Sequence, residues 1–432
     1  MPEPVLLQAA TLLIDTLGVA AGATSLDAGR IARDFACDFH GSTRDENSAT
    51  LMFDGRRCST PGAAWAMATQ IDNLDAHDGL NATKGHIGCA AVPALCAFAE
   101  QHPELTGRQA LVALCIGYEV AARAGIALHK TVTDYHTSGA WNALGVVALG
   151  AQLRTRDDDI LRHALGIAEY HGPRSQMMRE IANPTMLHDG SGMGAFIGIS
   201  SLFMAERGFT GAPAITVEGQ EVAHIWADLG QDWTILRNYI KPYPICRWAH
   251  GALECVRVLT QEQGVNAQEI KTLEVATFAE SAALFSGLPE TTSEAQYSLG
   301  FALAAYLVHG RLGPAEITGT ALQNPRVARM HTRIKIREEP RHSARFPEGR
   351  WSDVTVHLHD GRVLHSGDHN ARGGPEAPMP DVDIHAKLRV MAANTLSERR
   401  IEEMWNMRQH LLDPGIKFSQ FLSLIHPKVD RI

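Results

Sequence analysis

A mainly α fold, a large helical domain with a smaller α+β domain beside it, is the class this sequence predicts. Three observations point there. Apolar residues recur at helical spacing through the first half of the chain. Period-two alternation appears only beyond about residue 235, so helices and strands are segregated rather than interleaved. With 432 residues the chain exceeds what a single core serves, and two domains are expected.

The elements follow in order. Leu6 to Ala21 is apolar at helical spacing, and Pro61 to Asn73 begins with proline at a favoured first-turn position. Val92 to Gln101, Gly107 to Leu128, Trp141 to Leu153 and Gly190 to Arg207 read as further helices. Ala140, Ala143, Gly145, Ala148, Gly150 and Ala151 are small enough to let helices approach closely, which suits a buried bundle. Asn238 to Ile245 carries two prolines and must be irregular or extended. Trp248 to Glu262 and Glu294 to His309 read as helices; Thr272 to Phe278, Arg333 to Arg337 and Ser352 to His359 alternate like strands. Asp360-Gly361 makes a hairpin turn from which Arg362 to Ser366 returns. After the Pro/Gly-rich stretch Ala371 to Asp381, Val382 to Arg408 is helical and could return to the first domain.

Bulk properties exclude several classes. A formal charge of −9, with no basic stripe, argues against a nucleic-acid binder. The seven cysteines form no C-x-x-C pair and read as reduced, buried thiols. The start Met1-Pro2-Glu3-Pro4 lacks a basic n-region, and no apolar run is expected to approach the ~18–20 residues that span a bilayer. The expectation is a cytoplasmic protein with no membrane or nucleic-acid partner.

Four polar constellations stand against apolar helices. Leu74 to Glu100 places Asp75, His77, Asp78, Lys84 and His86 directly before an apolar helix, which is how acid/base sites are built. Asp134-Tyr135-His136-Thr137-Ser138-Gly139 opens another helix, whose N-terminal N–H groups favour a neutral, basic imidazole. Lys241-Pro242-Tyr243-Pro244-Ile245-Cys246-Arg247-Trp248-Ala249-His250 sets cations on a proline-stiffened turn suited to carboxylates. Tyr170 to Arg174 and Pro184 to Gly192, which includes His188, place glycines where a ligand can approach the backbone. No glycine-rich nucleotide motif is present, and no histidine pair stands at metal-ligand spacing on a helix. His357 and His359 read as an exposed strand face rather than a metal site.

Taken in order, these blocks resemble the MmgE/PrpD family, which includes 2-methylcitrate dehydratase, cis-aconitate decarboxylase and iminodisuccinate epimerase. The likeness runs from Thr11–Gly18 to the helix after Asp381. It rests on Asp75-Ala76-His77-Asp78, His86-Ile87-Gly88, Tyr135-His136-Thr137-Ser138, Lys241 through His250, Ser352 to Gly361 and Gly373-Gly374-Pro375-Glu376-Ala377-Pro378. It implies a helical domain from both chain ends, 1–237 and 391–432, and an α+β lid domain, 238–390. It also implies a homodimer without metal or cofactor. Asp75, His86, His136 and His250 would line a pocket between the domains as catalytic residues. Lys84, Tyr135, Lys241, Arg247 and His188 would bind substrate. Two positions depart from the decarboxylase pattern: Thr185 stands where a lysine is usual, and Phe301 where a tyrosine is usual.

The chemistry expected is proton removal from a carbon next to a carboxylate of a small polycarboxylate. His136 or His86 would be the base, Asp75 would orient an imidazole, and Lys241, Arg247 and His250 would clamp carboxylates. Elimination of hydroxide makes a dehydratase; return of the proton to the other face makes an epimerase, for instance of iminodisuccinate. A silent carboxylate-binding relative is the remaining reading.

Overall fold

The computed structural model describes residues 1–427. Helix accounts for 58% of the described residues, which fixes the fold as mainly α. The chain divides into two compact units. The larger takes residues 1–178, 187–238 and 385–432, its last five positions lying outside the described residues, and the smaller takes 179–186 and 239–384.

The larger unit is a helical bundle. Its first helices are α1 (Glu3–Gly22), α2 (Asp27–Phe39), α3 (Thr60–Asp72) and α4 (Gly88–Ala99). Then come α5 (Gly107–Thr131), α6 (Gly139–Arg154) and α7 (Asp158–His171), followed by the helix Ser191–Ala205. Ser59 caps α3 and Thr106 opens α5 through a capping box with Gln109. α4 is buried along its whole length, as an all-apolar helix must be in water. α5 and α6 touch because their contact residues are small: a Cβ on Gly145 would stand 2.5 Å from the Gly117 carbonyl oxygen.

Two regions depart from the sequence reading. Contrary to expectation, Glu3–Ser25 and Gly107–Thr131 are long and apolar enough, by length and composition, to cross a bilayer. Their most apolar windows are 89% and 78% buried inside the protein, so core packing accounts for that hydropathy. Strands also occur in the first half: β1 (Ser48–Thr50) pairs antiparallel with β2 (Arg57–Ser59). Three-residue strands are too short to display alternation.

The smaller unit is built on a five-stranded sheet of order β4-β3-β5-β6, with β7 also on β5. Its strands are β3 (Ile270–Thr277), β4 (Ile334–Glu338), β5 (Trp351–Leu358), β6 (Val363–His365) and β7 (His369–Asn370). β3 runs parallel to β4, with Val275 opposite Ile336, and antiparallel to β5, with Val275 opposite Val354. β5 buries every second residue, and Gly361 (φ +92°) turns the chain into β6. His357, on the outer face, lies 3.8 Å from Glu274.

Three long predicted helices are interrupted. Trp248 to Glu262 becomes a 3₁₀ turn, the helix His250–Arg257 and a π turn. Glu294 to His309 breaks at Ser298, which caps the helix Leu299–His309 by accepting the Phe301 N–H. Val382 to Arg408 breaks before Ser397, which caps Glu398–His410 after the helix Asp381–Ala392 has ended. In each of the last two cases a serine starts a new helix inside an unbroken apolar pattern.

Candidate active site

The segment joining α3 to α4 is buried rather than a solvated loop: Asp72, Asp75, His77, Asp78 and His86 are each 8% exposed or less. Asp75 (φ +53°) and Lys84 (φ +54°) hold left-handed backbone conformations, which non-glycine residues keep only where the surroundings enforce them. The Asp75 N–H reaches the Asp72 carbonyl at 3.1 Å, and a Leu80–Gly85 bridge closes the far end. The glycine at α4's first position is a packing requirement. A Cβ on Gly88 would meet Asp78 Oδ1 at 2.2 Å, the Tyr118 hydroxyl at 2.4 Å and Thr16 Oγ1 at 2.8 Å.

His86 is anchored through one ring nitrogen, and the other faces a carboxyl. Nδ1 lies 2.6 Å from the Asp78 carbonyl oxygen. A carbonyl only accepts, so Nδ1 carries the proton, and in the neutral ring Nε2 holds the lone pair. Nε2 faces Asp189 Oδ2 at 3.7 Å. The backbone around the ring is tied as well: the His86 N–H donates to Ser138 Oγ at 3.0 Å, and Ser138 Oγ donates to Asp189 Oδ1 at 2.6 Å. Asn142 Nδ2 donates to the His86 carbonyl at 3.0 Å. Asp189, itself at φ +22°, has its carboxyl pushed above the usual range by burial and then by the nearby charge of Asp72.

A second imidazole packs edge-to-face on the first, with His77 and His86 ring centroids 4.4 Å apart. His77 Nε2 lies 3.3 Å from Asp72 Oδ1. Asp72 Oδ2 accepts the Ser191 N–H at 3.2 Å, and Cys89 Sγ donates to Ser191 Oγ at 3.0 Å. Asp72, His77 and Cys89 offer donor atoms within 4.8 Å of one another, a spacing a metal ion could use. Burial keeps the Cys89 thiol protonated, however, and both it and Asp72 are committed to the start of the Ser191–Ala205 helix. The similar His342–Asp353–Asp368 group is occupied by Arg341 and Arg345.

Asp78 is the third acidic element. It accepts from the Gly88 N–H and the Tyr118 hydroxyl, both at 3.1 Å, and from Asn238 Nδ2 at 2.6 Å. Burial nevertheless pushes its carboxyl up to about 6 from 3.8. A folded-state value above the unfolded one gives a contribution that is full below the unfolded value and lost as pH rises through about 6. Relative to Asp78→Asn, wild type is therefore expected to lose about 2 kcal/mol of stability between about pH 4 and about pH 7, measured by urea unfolding. A constant difference between the two proteins over that range would contradict this.

His136 stands on the adjoining segment, two residues before Ser138, and is half-buried. Burial and then Arg174 lower its basicity. The His136 backbone N–H donates to His129 Nε2 at 3.2 Å, and burial pushes His129 down to about 4. The Tyr135 hydroxyl donates to the Lys84 carbonyl, and the exposed Lys84 Nζ sits 5.6 Å over the Tyr135 ring. His188 is buried beside Asp189.

The remaining three expected residues belong to the smaller unit. Lys241 and His250 are wholly buried there. His250 Nε2 donates to the Ile245 carbonyl at 3.1 Å, the reverse of the His86 tautomer. Arg247 donates to the Arg372 and Ala371 carbonyls at 2.6 and 2.9 Å and stacks 4.1 Å from the Tyr239 ring. Burial draws its guanidinium down to about 10. Phe301 is a fully buried core residue, whereas Thr185 is exposed.

Within the larger unit, then, the fold gathers Asp75 and His86 with His77 and Asp78, and sets the Lys84–Tyr135–His136 group on the neighbouring segment. Asp72, Ser138 and Asp189 complete the cluster without having been assigned a role from sequence. Asp72 closes a helix that reads as core, and Asp189 sits in a block where the glycines are the visible signal.

Comparison with known proteins matches both parts of the chain to one family. The MmgE/PrpD N-terminal domain matches residues 1–232 and the MmgE/PrpD C-terminal domain matches residues 243–411. A cis-aconitate decarboxylase of Aspergillus terreus is 24% identical over 387 residues, covering 79% of this chain and 75% of its own. A cis-aconitate decarboxylase-like protein of Aspergillus oryzae is 22% identical, covering 98% and 94%. The cis-aconitate decarboxylase of Homo sapiens is 21% identical, covering 96% and 89%. With both domains matched over nearly the whole chain, this protein belongs to the MmgE/PrpD family.

Proposed function

We propose that this protein is an acid/base lyase acting on a small di- or tricarboxylate, and most specifically a hydro-lyase of the 2-methylcitrate dehydratase kind. The observation that carries the reading is the His86 tautomer: Nδ1 is spent on the Asp78 carbonyl, so Nε2 is the proton acceptor in a buried acidic cluster. Nε2 would take the proton from the carbon beside a substrate carboxylate, and the electron pair would pass into the enediolate-like system. Expulsion of a β-hydroxide, with a proton from a neutral carboxyl, would complete the elimination as alkene and water. Asp189, whose carboxyl is pushed upward in pKa, is the group suited to hold that proton. The chemistry calls on the chain's own imidazoles and carboxyls. Lys241, Arg247 and His250 remain proposed carboxylate-binding groups.

Epimerisation is the second reading, favoured by Phe301 and Thr185. A phenol and an ammonium are missing at those positions, and return of a proton to the opposite face requires no leaving group. Incubation with 2-methylcitrate, citrate, cis-aconitate and iminodisuccinate in D₂O separates the cases. A new conjugated double bond marks elimination. Loss of optical rotation with deuterium uptake marks epimerisation, and release of CO₂ marks decarboxylation. Binding without any of these, across the whole panel, would refute the enzyme reading.

A further inference from the structure

The Asp75–Asp78 segment receives a contact from the far end of the chain. Lys387, on the helix Asp381–Ala392, donates to the Ala76 carbonyl at 2.7 Å and to Asp15 Oδ2 of α1 at 2.8 Å. Asp15 Oδ1 is 2.7 Å away, and the two side chains are 2% and 1% exposed. The ammonium is therefore held by a carboxylate on one helix while it grips a backbone oxygen between Asp75, in its left-handed conformation, and His77.

The surrounding packing leaves the contact little freedom. A Cβ on Gly18, one turn along α1, would stand 2.7 Å from Leu388, so the two helices meet where the lysine enters. Thr395 donates to the Ala21 carbonyl at 2.7 Å and closes the next turn of the same seam. Asp15 also contributes to the electrostatics of the site, since its charge acts on Asp78 and is acted on by His77.

We propose that Lys387, oriented by Asp15, is a positioning residue that holds the Asp75–His77 backbone in its strained, site-competent conformation. This rests on the acid/base reading for its consequence in turnover but not for its structural content. A charge-assisted ammonium–carbonyl bond between buried groups is strong, and it offsets the backbone strain at the residue before it. Packing alone would hold α1 against the last helices without a charged pair.

Removing Lys387 by itself strands a buried carboxylate, so the test uses the paired variant Asp15→Leu/Lys387→Met, which removes both charges together. Hydrogen exchange read by mass spectrometry is expected to accelerate about tenfold or more over residues 74–80, with α6 unchanged. On whichever panel substrate is turned over, kcat is expected to fall about 10–100-fold with KM within about threefold of wild type. Unchanged exchange over 74–80 would overturn the proposal, and so would an equal rise across α6, which would mean general loosening. Accelerated exchange at 74–80 alone, in a protein that turns over nothing, would leave the positioning role standing and remove the enzyme reading.

Discussion

His86→Asn is expected to lower turnover by about 10²–10⁴-fold, the range a positioned general base supplies, with KM within a few-fold. Asparagine is the informative replacement. Its amide nitrogen sits where Nδ1 stood, so the donor to the Asp78 carbonyl is kept and only the basic nitrogen facing Asp189 is lost. The wedge of His86 against His77 narrows, but the backbone ties to Ser138 and Asn142 do not involve the ring and should persist. The thermal midpoint is accordingly expected to stay within a few degrees of wild type. His357→Asn, on the outer face of β5, serves as the control and should leave turnover unchanged. Turnover of His86→Asn within about threefold of wild type would remove His86 from the role of base.

Lys387→Met is expected to produce the largest loss of stability, about 3–5 kcal/mol, because it leaves Asp15 buried without its counter-charge. Burial already raises the Asp15 carboxyl, and Lys387 opposes that rise. Without the ammonium, the folded-state value moves further above the unfolded one. The contribution of such a group is retained below the unfolded value and lost as pH increases through the folded one. The defect should therefore be smaller near pH 5 than near pH 8, read by denaturant unfolding of variant and wild type at both. Asp15→Leu/Lys387→Met should recover most of the stability, since no lone charge remains. A single variant as stable as wild type at the higher pH would show that the pair carries no such weight.

Much of the candidate cluster was legible as residue types in short blocks, because its titratable groups lie close together along the chain. Asp75, His77, Asp78 and His86 fall within a dozen residues, and an apolar helix after them is visible by composition alone. His136 was legible for the same reason. What could not be read was convergence. Asp189 and Ser138 reach His86 only because the starts of α6 and of the Ser191–Ala205 helix come together, and nothing local marks that meeting. Lys387 lies 311 residues from the carbonyl it holds, in a segment that reads as an ordinary polar–apolar helix. Arg247 reads from sequence as a cation on a stiff turn, but the bonds from its terminal nitrogens to backbone carbonyls more than a hundred residues away could not be read there. In the fold, long helices were legible and their interruptions were not, since a capping serine looks like any other polar residue until its hydroxyl is seen on the N–H three residues ahead. The β1–β2 ribbon escaped for want of length.

The proposed role of His86 as base depends on which of its nitrogens bears the proton. Imidazole ¹⁵N shifts of histidine-labelled protein, with the His86 signal assigned by its loss in His86→Asn, measure this directly. The expected result at neutral pH is a pyrrole-type shift at Nδ1 and a pyridine-type shift at Nε2. The opposite pattern, with the proton on Nε2 and the lone pair on Nδ1, would contradict it.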